Sequence, residues 1–403
     1  MAVGKACGNP ARFPFFVMTV KEVLIMTVRN LRAALTAILL GTASAGLVVV
    51  AATAPVQAAT VSAKVGPLLK EAQALIAAKN YKAAMAKLNE AEAVKSTPDD
   101  TAIINQFKSA IAISSADPNT PGGAKAKFAQ DYNAGKFKDV IADAEYLRKN
   151  NVFDAQSQLI VGQAYYKDRD FAGCVRYTKT LGGSDTALEL QARCAYEIGD
   201  EATQRQAYEA LVARSGKPEY WKGLLKLGER ARGLSDHNTL DINRLRLLTG
   251  SISAKEDYIS LAQFAMQFTF FAEAQAALEK GVAAKVLADD RSIRLLATAK
   301  QQAAANLANE SKMLAAANAA PQGDDLVKVG ENMIGEGKAK DAVGVIQNGM
   351  KKPLKDPNNA QIRLGQAYLA AGQKAQAQAA FDKVKAPEKD AMVAHLWSLA
   401  ARH

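Results

Sequence analysis

Histidine, cysteine and aromatic residues are all scarce in this chain. Three histidines occur in 403 residues, His237, His395 and His403, and none has ligand spacing to Cys174 or Cys194. That removes the usual zinc donor set, and neither a metal nor a cofactor is expected. The phosphate-cradling pattern GxxxxGK[ST], the nucleophile elbow GxSxG and the HExxH pair are also missing, so no catalytic constellation points to an enzyme. The paired carboxylates Asp289–Asp290 and Asp324–Asp325 stand where helices should begin, and there they complement the positive end of the helix dipole. Aromatics make up 6% of the residues against 49% hydrophobics. A core poor in Val, Ile and Tyr but rich in Ala, Leu, Gln and Lys favours helices packed through small side chains, an all-α chain.

Long apolar runs are equally few. The one of spanning length follows Met26, Arg29 and Arg32 and reads "AALTAILLGTASAGLVVVAATAPVQAA", with Val56 and Ala58 at the small-residue positions of an export cleavage site. We expect a signal peptide over 26–59, cut near Ala58 or Ala59, with 1–25 as an upstream extension. The mature protein is then expected in the periplasm. The alternative is an uncleaved anchor in the inner membrane, since the run is long enough to cross a bilayer.

The chain carries 51 basic and 40 acidic residues, a net +11. Removing the first 58 residues leaves 46 against 39, or +7. That excess suits a Lys-rich solvated helix surface, and in an exported protein no nucleic acid is expected as partner. Two cysteines survive such processing, Cys174 and Cys194, and an oxidising compartment permits a disulfide between them.

A period emerges from what is present. Leu364, Gly365, Tyr368, Gly372, Ala377 and Phe381 have counterparts 35 residues upstream in Val329, Gly330, Met333, Gly337, Ala342 and Ile346. Further copies are read at Tyr81, Ala84 and Leu88, at Gly135, Phe137, Val140 and Ala144, and at Gly162, Tyr165, Phe171 and Cys174. Two more appear at Ala192, Ala195, Gly199 and Tyr208, and at Ala262, Ala265, Phe271, Ala274 and Leu278. A glycine in a helix interior costs about 1 kcal/mol relative to alanine, so something must gain from it. Gly162, Gly330 and Gly365 should let the second helix of a hairpin cross closely. Gly135, Gly199, Gly337 and Gly372 should end first helices in the left-handed conformation. Ala84, Ala274, Ala342 and Ala377 should pack the second helix against the next repeat. Two stretches depart from the register: one from Tyr220 to Leu248, and one from Asp289 to Ala320 where Glu310 replaces a small residue.

This spacing resembles the tetratricopeptide repeat, a helix–turn–helix unit of 34 residues. The resemblance implies an α-solenoid winding as a right-handed superhelix. Residues 60–118 would form an N-terminal helical unit and 119–403 the main array, about ten repeats in all, closed by a capping helix near 388–401 with Leu396 and Leu399 inward. The turn-rich stretch at 114–127 marks the expected link. Cys174 then falls on a second helix and Cys194 on the following first helix, so a disulfide is open to them, the alternative being two small buried thiols. Phe264, Phe268 and Phe271, like Trp221 and Trp397, read as core.

In such repeats the first helices face a concave groove that binds extended peptides or partner helices. The inward positions would be Gln163, Tyr166, Lys167, Arg193, Tyr196, Lys222, Lys226, Arg230, Gln263 and Gln267. Their cationic bias implies an acidic protein or peptide as partner. The stretch over 218–283 also resembles periplasmic tetratricopeptide proteins associated with the TonB, ExbB and ExbD system, which implies inner-membrane energy-transduction components as partners. The alternative is an envelope-assembly scaffold for outer-membrane proteins or cell-wall enzymes.

Overall fold

The computed structural model describes residues 61–115 and 119–403, so the expected export segment lies outside the described residues. Every regular element among them is a helix, as the composition requires. The chain divides into two compact units between Asp170 and Phe171. That division falls inside what the repeat spacing groups as one array, while the turn-rich 114–127 stretch sits within the first unit. Turn residues report a local break in helix, which need not be a break in packing.

The first unit holds α1 (Val65–Ala77), α2 (Tyr81–Ala93), α3 (Pro98–Ser115), α4 (Pro121–Asn133), α5 (Phe137–Lys149) and α6 (Ala155–Lys167). The pairs α1/α2 and α4/α5 are antiparallel hairpins, and α3 packs on the first of them. Its core joins Leu69, Ala84, Leu88, Ile104 and Phe107. Asp100, fully buried, ties the entry of α3 to the N-terminal segment. Its carboxylate accepts from the backbone amides of Ser62 (2.9 Å), Ser96 (2.9 Å) and Thr97 (3.1 Å).

The second unit runs through α7 (Phe171–Thr178), α8 (Asp185–Glu197), α9 (Glu201–Ser215), α10 (Pro218–Gly228), α11 (Asp236–Leu248), α12 (Lys255–Gln267) and α13 (Phe271–Ala283). It continues with α14 (Asp290–Ala319), α15 (Asp324–Gly335), α16 (Ala339–Met350), α17 (Pro357–Ala370), α18 (Lys374–Phe381) and α19 (Glu388–Ala400). Helix starts follow side chains that cap them: Ser184, Asp200, Ser235, Asp289 and Asp356 each accept from the amide three residues on. Cys174 on α7 and Cys194 on α8 are joined by a disulfide, with Cα atoms 6.0 Å apart.

The glycines divide as the repeat requires. A methyl at Gly365 would meet Phe381 Cδ1 at 2.6 Å, and one at Gly330 would run into Ile346 Cγ1. Both are places where two helices of a hairpin touch. Gly135, Gly199, Gly337 and Gly372 instead have φ between +70° and +79° with open space around them. At the same turn of other hairpins the chain uses Lys79 (φ 57°) and Thr269 (φ 70°), and a β-branched residue there is strained. The small residues Ala84, Ala274, Ala342 and Ala377 are all fully buried.

Three features correct the repeat count and the cap. The stretch from Asp290 to Ala319 is one helix of 30 residues, since neither Gly nor Pro interrupts it, and it consumes the length of a hairpin. The single helix α3, of 18 residues, takes up about half a repeat more. Ten hairpins are therefore not reached. The last helix does bury Leu396 and Leu399, but it packs on α11 as well as on its chain neighbours α17 and α18. Its Val393, Leu396 and Trp397 share one core with Trp221, Leu224 and Leu225 of α10. The C-terminal hairpins thus return onto the middle of the unit. Phe264 and Phe268 are half-buried against the neighbouring core of α12 and α13.

Candidate functional site

Gln163, Tyr166 and Lys167 lie on α6 in the first unit, where Gln163 accepts from the Tyr132 hydroxyl at 2.7 Å. The other seven expected groove residues fall in the second unit, on or just after three consecutive first helices. Each of these helices buries one side and exposes a single stripe: Glu189, Arg193 and Tyr196 on α8; Lys222 and Lys226 on α10, continued by Arg230 just beyond it; Gln263 and Gln267 on α12. Cross-links set the helices side by side. Tyr220 donates to Glu189 (2.6 Å), Lys222 to Ser253 Oγ (3.2 Å) just before α12, and Gln267 to Asp236 (2.7 Å). Arg230 faces Glu201 at 3.4 Å, which trims the cationic bias of the stripe.

The sequence reading missed the most concentrated chemistry in this unit. Five ionised side chains from four helices meet between α11, α13, α15 and α17, with Asp241 and Arg363 essentially inaccessible and Glu331 2% exposed. Arg363 donates to both oxygens of Asp241 and lies 2.9 Å from Glu331. Arg244 bonds Glu273 through two nitrogens at 2.7 and 2.6 Å, Glu331 at 2.7 Å and Asp241 at 3.2 Å. Gln366 adds a 2.8 Å bond to Asp241, and Asn359 accepts from Arg363 Nε at 3.0 Å. Burial works against the charged form of Asp241, yet the guanidinium groups of Arg363 and Arg244 outweigh it and hold its carboxyl below the usual range. Burial likewise opposes the charge of Arg244, and Glu273 and Glu331 more than restore it.

Every carboxylate in the cluster is claimed by an arginine, and its residues are separated by up to 122 positions in sequence. It is a clamp: it fastens the C-terminal hairpins to α11 and α13. A second tie lies nearby, from Asn238 Nδ2 on α11 to Asp390 on α19 at 3.0 Å. His237 stacks on Phe268 with ring centroids 3.9 Å apart, and its Nδ1 is buried without a partner. Among the described residues no group of three or more His, Cys, Asp or Glu could hold a metal ion.

A signal for the clamp was present. Gln163, Arg193 and Gln263 each follow the small packing residue of their first helix, Gly162, Ala192 and Ala262. Glu331 follows Gly330 and Gln366 follows Gly365 in the same register. Four and five residues beyond those glycines come Ile334 and Gly335, then Leu369 and Ala370. These inward positions of α15 and α17 face α11 and α13, and beside the clamp they leave a cavity of about 680 Å³. Trp221, Leu247, Leu248, Ala276, Lys280 and Lys374 contribute to its other walls and rim.

No family model and no curated protein match this chain. Solved structures similar to it include a complex of Naa15 and Naa10 bound to HypK, with 12% identity, 79% of this chain and 52% of that chain covered, and a TM-score of 0.35. This chain therefore spans about half the length of that one. A tetratricopeptide repeat protein from Parabacteroides merdae matches at 12% identity over 70% of this chain and 98% of its own, with a TM-score of 0.30. Yeast Tom70 matches at 13% identity over 84% and 95%, with a TM-score of 0.21.

Proposed function

We propose that this chain is a non-catalytic helical-repeat scaffold that docks a protein or peptide on the exposed stripe of α8, α10 and α12. One observation carries the reading. Tyr196 keeps 55% of its surface open to solvent on the same stripe as Arg193, on the helix that Tyr220 ties to the Lys222- and Lys226-bearing α10. Tyrosine and arginine are residue types in which binding energy concentrates, and a solvated aromatic beside cations fits a segment carrying both an apolar side chain and acids. Glu201 already holds Arg230, which lowers that residue's share of the charge recognition.

The finer reading places the scaffold in the periplasm, acting with inner-membrane energy-transduction components of the TonB type. Its supports are the basic and apolar pattern over 26–59 and the disulfide, which suits an oxidising compartment. A pull-down from periplasmic extract tests both levels. Recovery of TonB-system components that is lost with Lys226→Glu and Tyr196→Ala, at unchanged melting temperature, is the expected result. An undiminished catch from the double variant refutes the stripe. Recovery of outer-membrane assembly factors or cell-wall enzymes instead refutes the TonB reading.

A further inference from the structure

We infer that the cavity between the C-terminal hairpins and α11/α13 is a binding site for a single-chain amphiphile with an anionic head, such as a fatty acid. At about 680 Å³ it lies within the range of roughly 300–1,000 Å³ typical of small-molecule sites. Its walls are apolar where Leu247, Ile334, Leu369 and Trp397 meet. Leu248 stands at its lip with 54% of its surface exposed, an apolar residue the fold leaves uncovered.

The polar groups of the cavity are arranged by depth. At the inner end Arg244 is bonded to both Glu273 and Glu331, so its guanidinium is already engaged and no free cation waits there for an anionic head. At the rim Lys280 and Lys374 are both exposed. Lys374 Nζ donates to the main-chain oxygen of His403 at 2.7 Å; Lys280 has no carboxylate partner among the described contacts. The exposed charges at the mouth are thus cationic, while the walls of the interior are apolar and its ionised groups are paired with one another. An apolar tail inside with an anion at the rim fits both, and a cationic head is disfavoured by charge.

The inference is independent of the partner-docking stripe, since none of the stripe residues lines the cavity. It also has a built-in reporter. The chain contains two tryptophans, Trp221 and Trp397, and both line this cavity.

The test uses the purified full chain with brominated laurate as quencher of tryptophan fluorescence, and isothermal titration with laurate, dodecanol and dodecyltrimethylammonium. Saturable 1:1 quenching is expected, with affinity in the order laurate, dodecanol, dodecyltrimethylammonium. Ala370→Trp fills the cavity from an exposed wall position and should weaken laurate at least about tenfold. Lys280→Glu should narrow the preference for laurate over the cationic amphiphile by about tenfold. If Ala370→Trp fails to fold, Ala276→Trp fills the same space from the opposite wall. The inference is overturned if laurate does not bind at millimolar concentration, or binds the filled variant unchanged. It is equally overturned if the head group and Lys280 make no difference, or if an acidic peptide quenches both tryptophans while laurate cannot displace it.

Discussion

Replacing Arg363 by methionine should be among the most damaging single changes in the second unit. The side chain is 1% exposed and is bonded to Asp241, Glu331 and Gln366. Methionine removes the charge and leaves Arg244 alone against Asp241, Glu331 and Glu273. The cluster then buries one more uncompensated carboxylate than the native one does, a change that costs about 3–5 kcal/mol. Urea unfolding followed by tryptophan fluorescence reads this unit specifically, because Trp221 and Trp397 both sit in its core. The loss should depend on pH in a defined sense. In the variant an orphaned carboxyl has its folded pKa raised above its unfolded value. Its penalty is therefore full at neutral pH and fades as pH falls through the raised pKa. Asp241→Leu added to Arg363→Met removes the orphan and should recover part of the loss. A cost under about 1 kcal/mol, a pH-independent cost, or strict additivity of the two substitutions would refute the clamp.

Three further outcomes follow from particular residues. Gly365→Ala puts a methyl within 2.6 Å of Phe381 Cδ1 and should cost about 1–3 kcal/mol in thermal unfolding; Phe381→Leu in the same chain should return part of it. Thr269→Gly relieves a β-branched residue at φ 70° and should stabilise by about 1 kcal/mol, the cost of a left-handed non-glycine residue less the added freedom of the unfolded chain; a lowered melting temperature contradicts the strain. Burial pushes the His237 imidazole below its ordinary pKa, with Glu331, Arg363, Asp241 and Arg244 as its charged neighbours. The unfolded ring takes up a proton below about pH 6.5, so this contribution is present above that pH and lost as pH falls toward the folded value. His237→Leu should flatten the stability profile in that window, and an unchanged profile would show that another group titrates there.

The hairpin fold was legible because the two kinds of glycine act locally. A close crossing at Gly365 and a left-handed turn at Gly372 leave marks within one repeat. What the sequence could not show is where one repeat meets a distant one. Asp241 and Arg363 are 122 positions apart, and neither spacing nor composition links them. The inward register that runs along α6, α8, α10 and α12 continues on α15 and α17. There the same positions carry Glu331, Ile334, Gln366 and Leu369 and face the unit's own helices. Thr269 escaped notice for the opposite reason: a threonine in a left-handed turn gives no sequence signal at all. The long α14 was visible only as a departure from register, though its lack of Gly and Pro over 30 residues already argued for one continuous helix.

The return of the C-terminal hairpins onto α11 is the feature on which the clamp and the cavity both rest. Asn238 and Asp390 report it most directly, since their side chains are hydrogen-bonded at 3.0 Å across 152 positions of sequence. With Cys at both sites, a short bifunctional thiol reagent should join them within one molecule, identified by mass spectrometry of the linked peptides. Absence of that crosslink under conditions that leave Cys174–Cys194 intact, or its appearance only between molecules, would contradict the account.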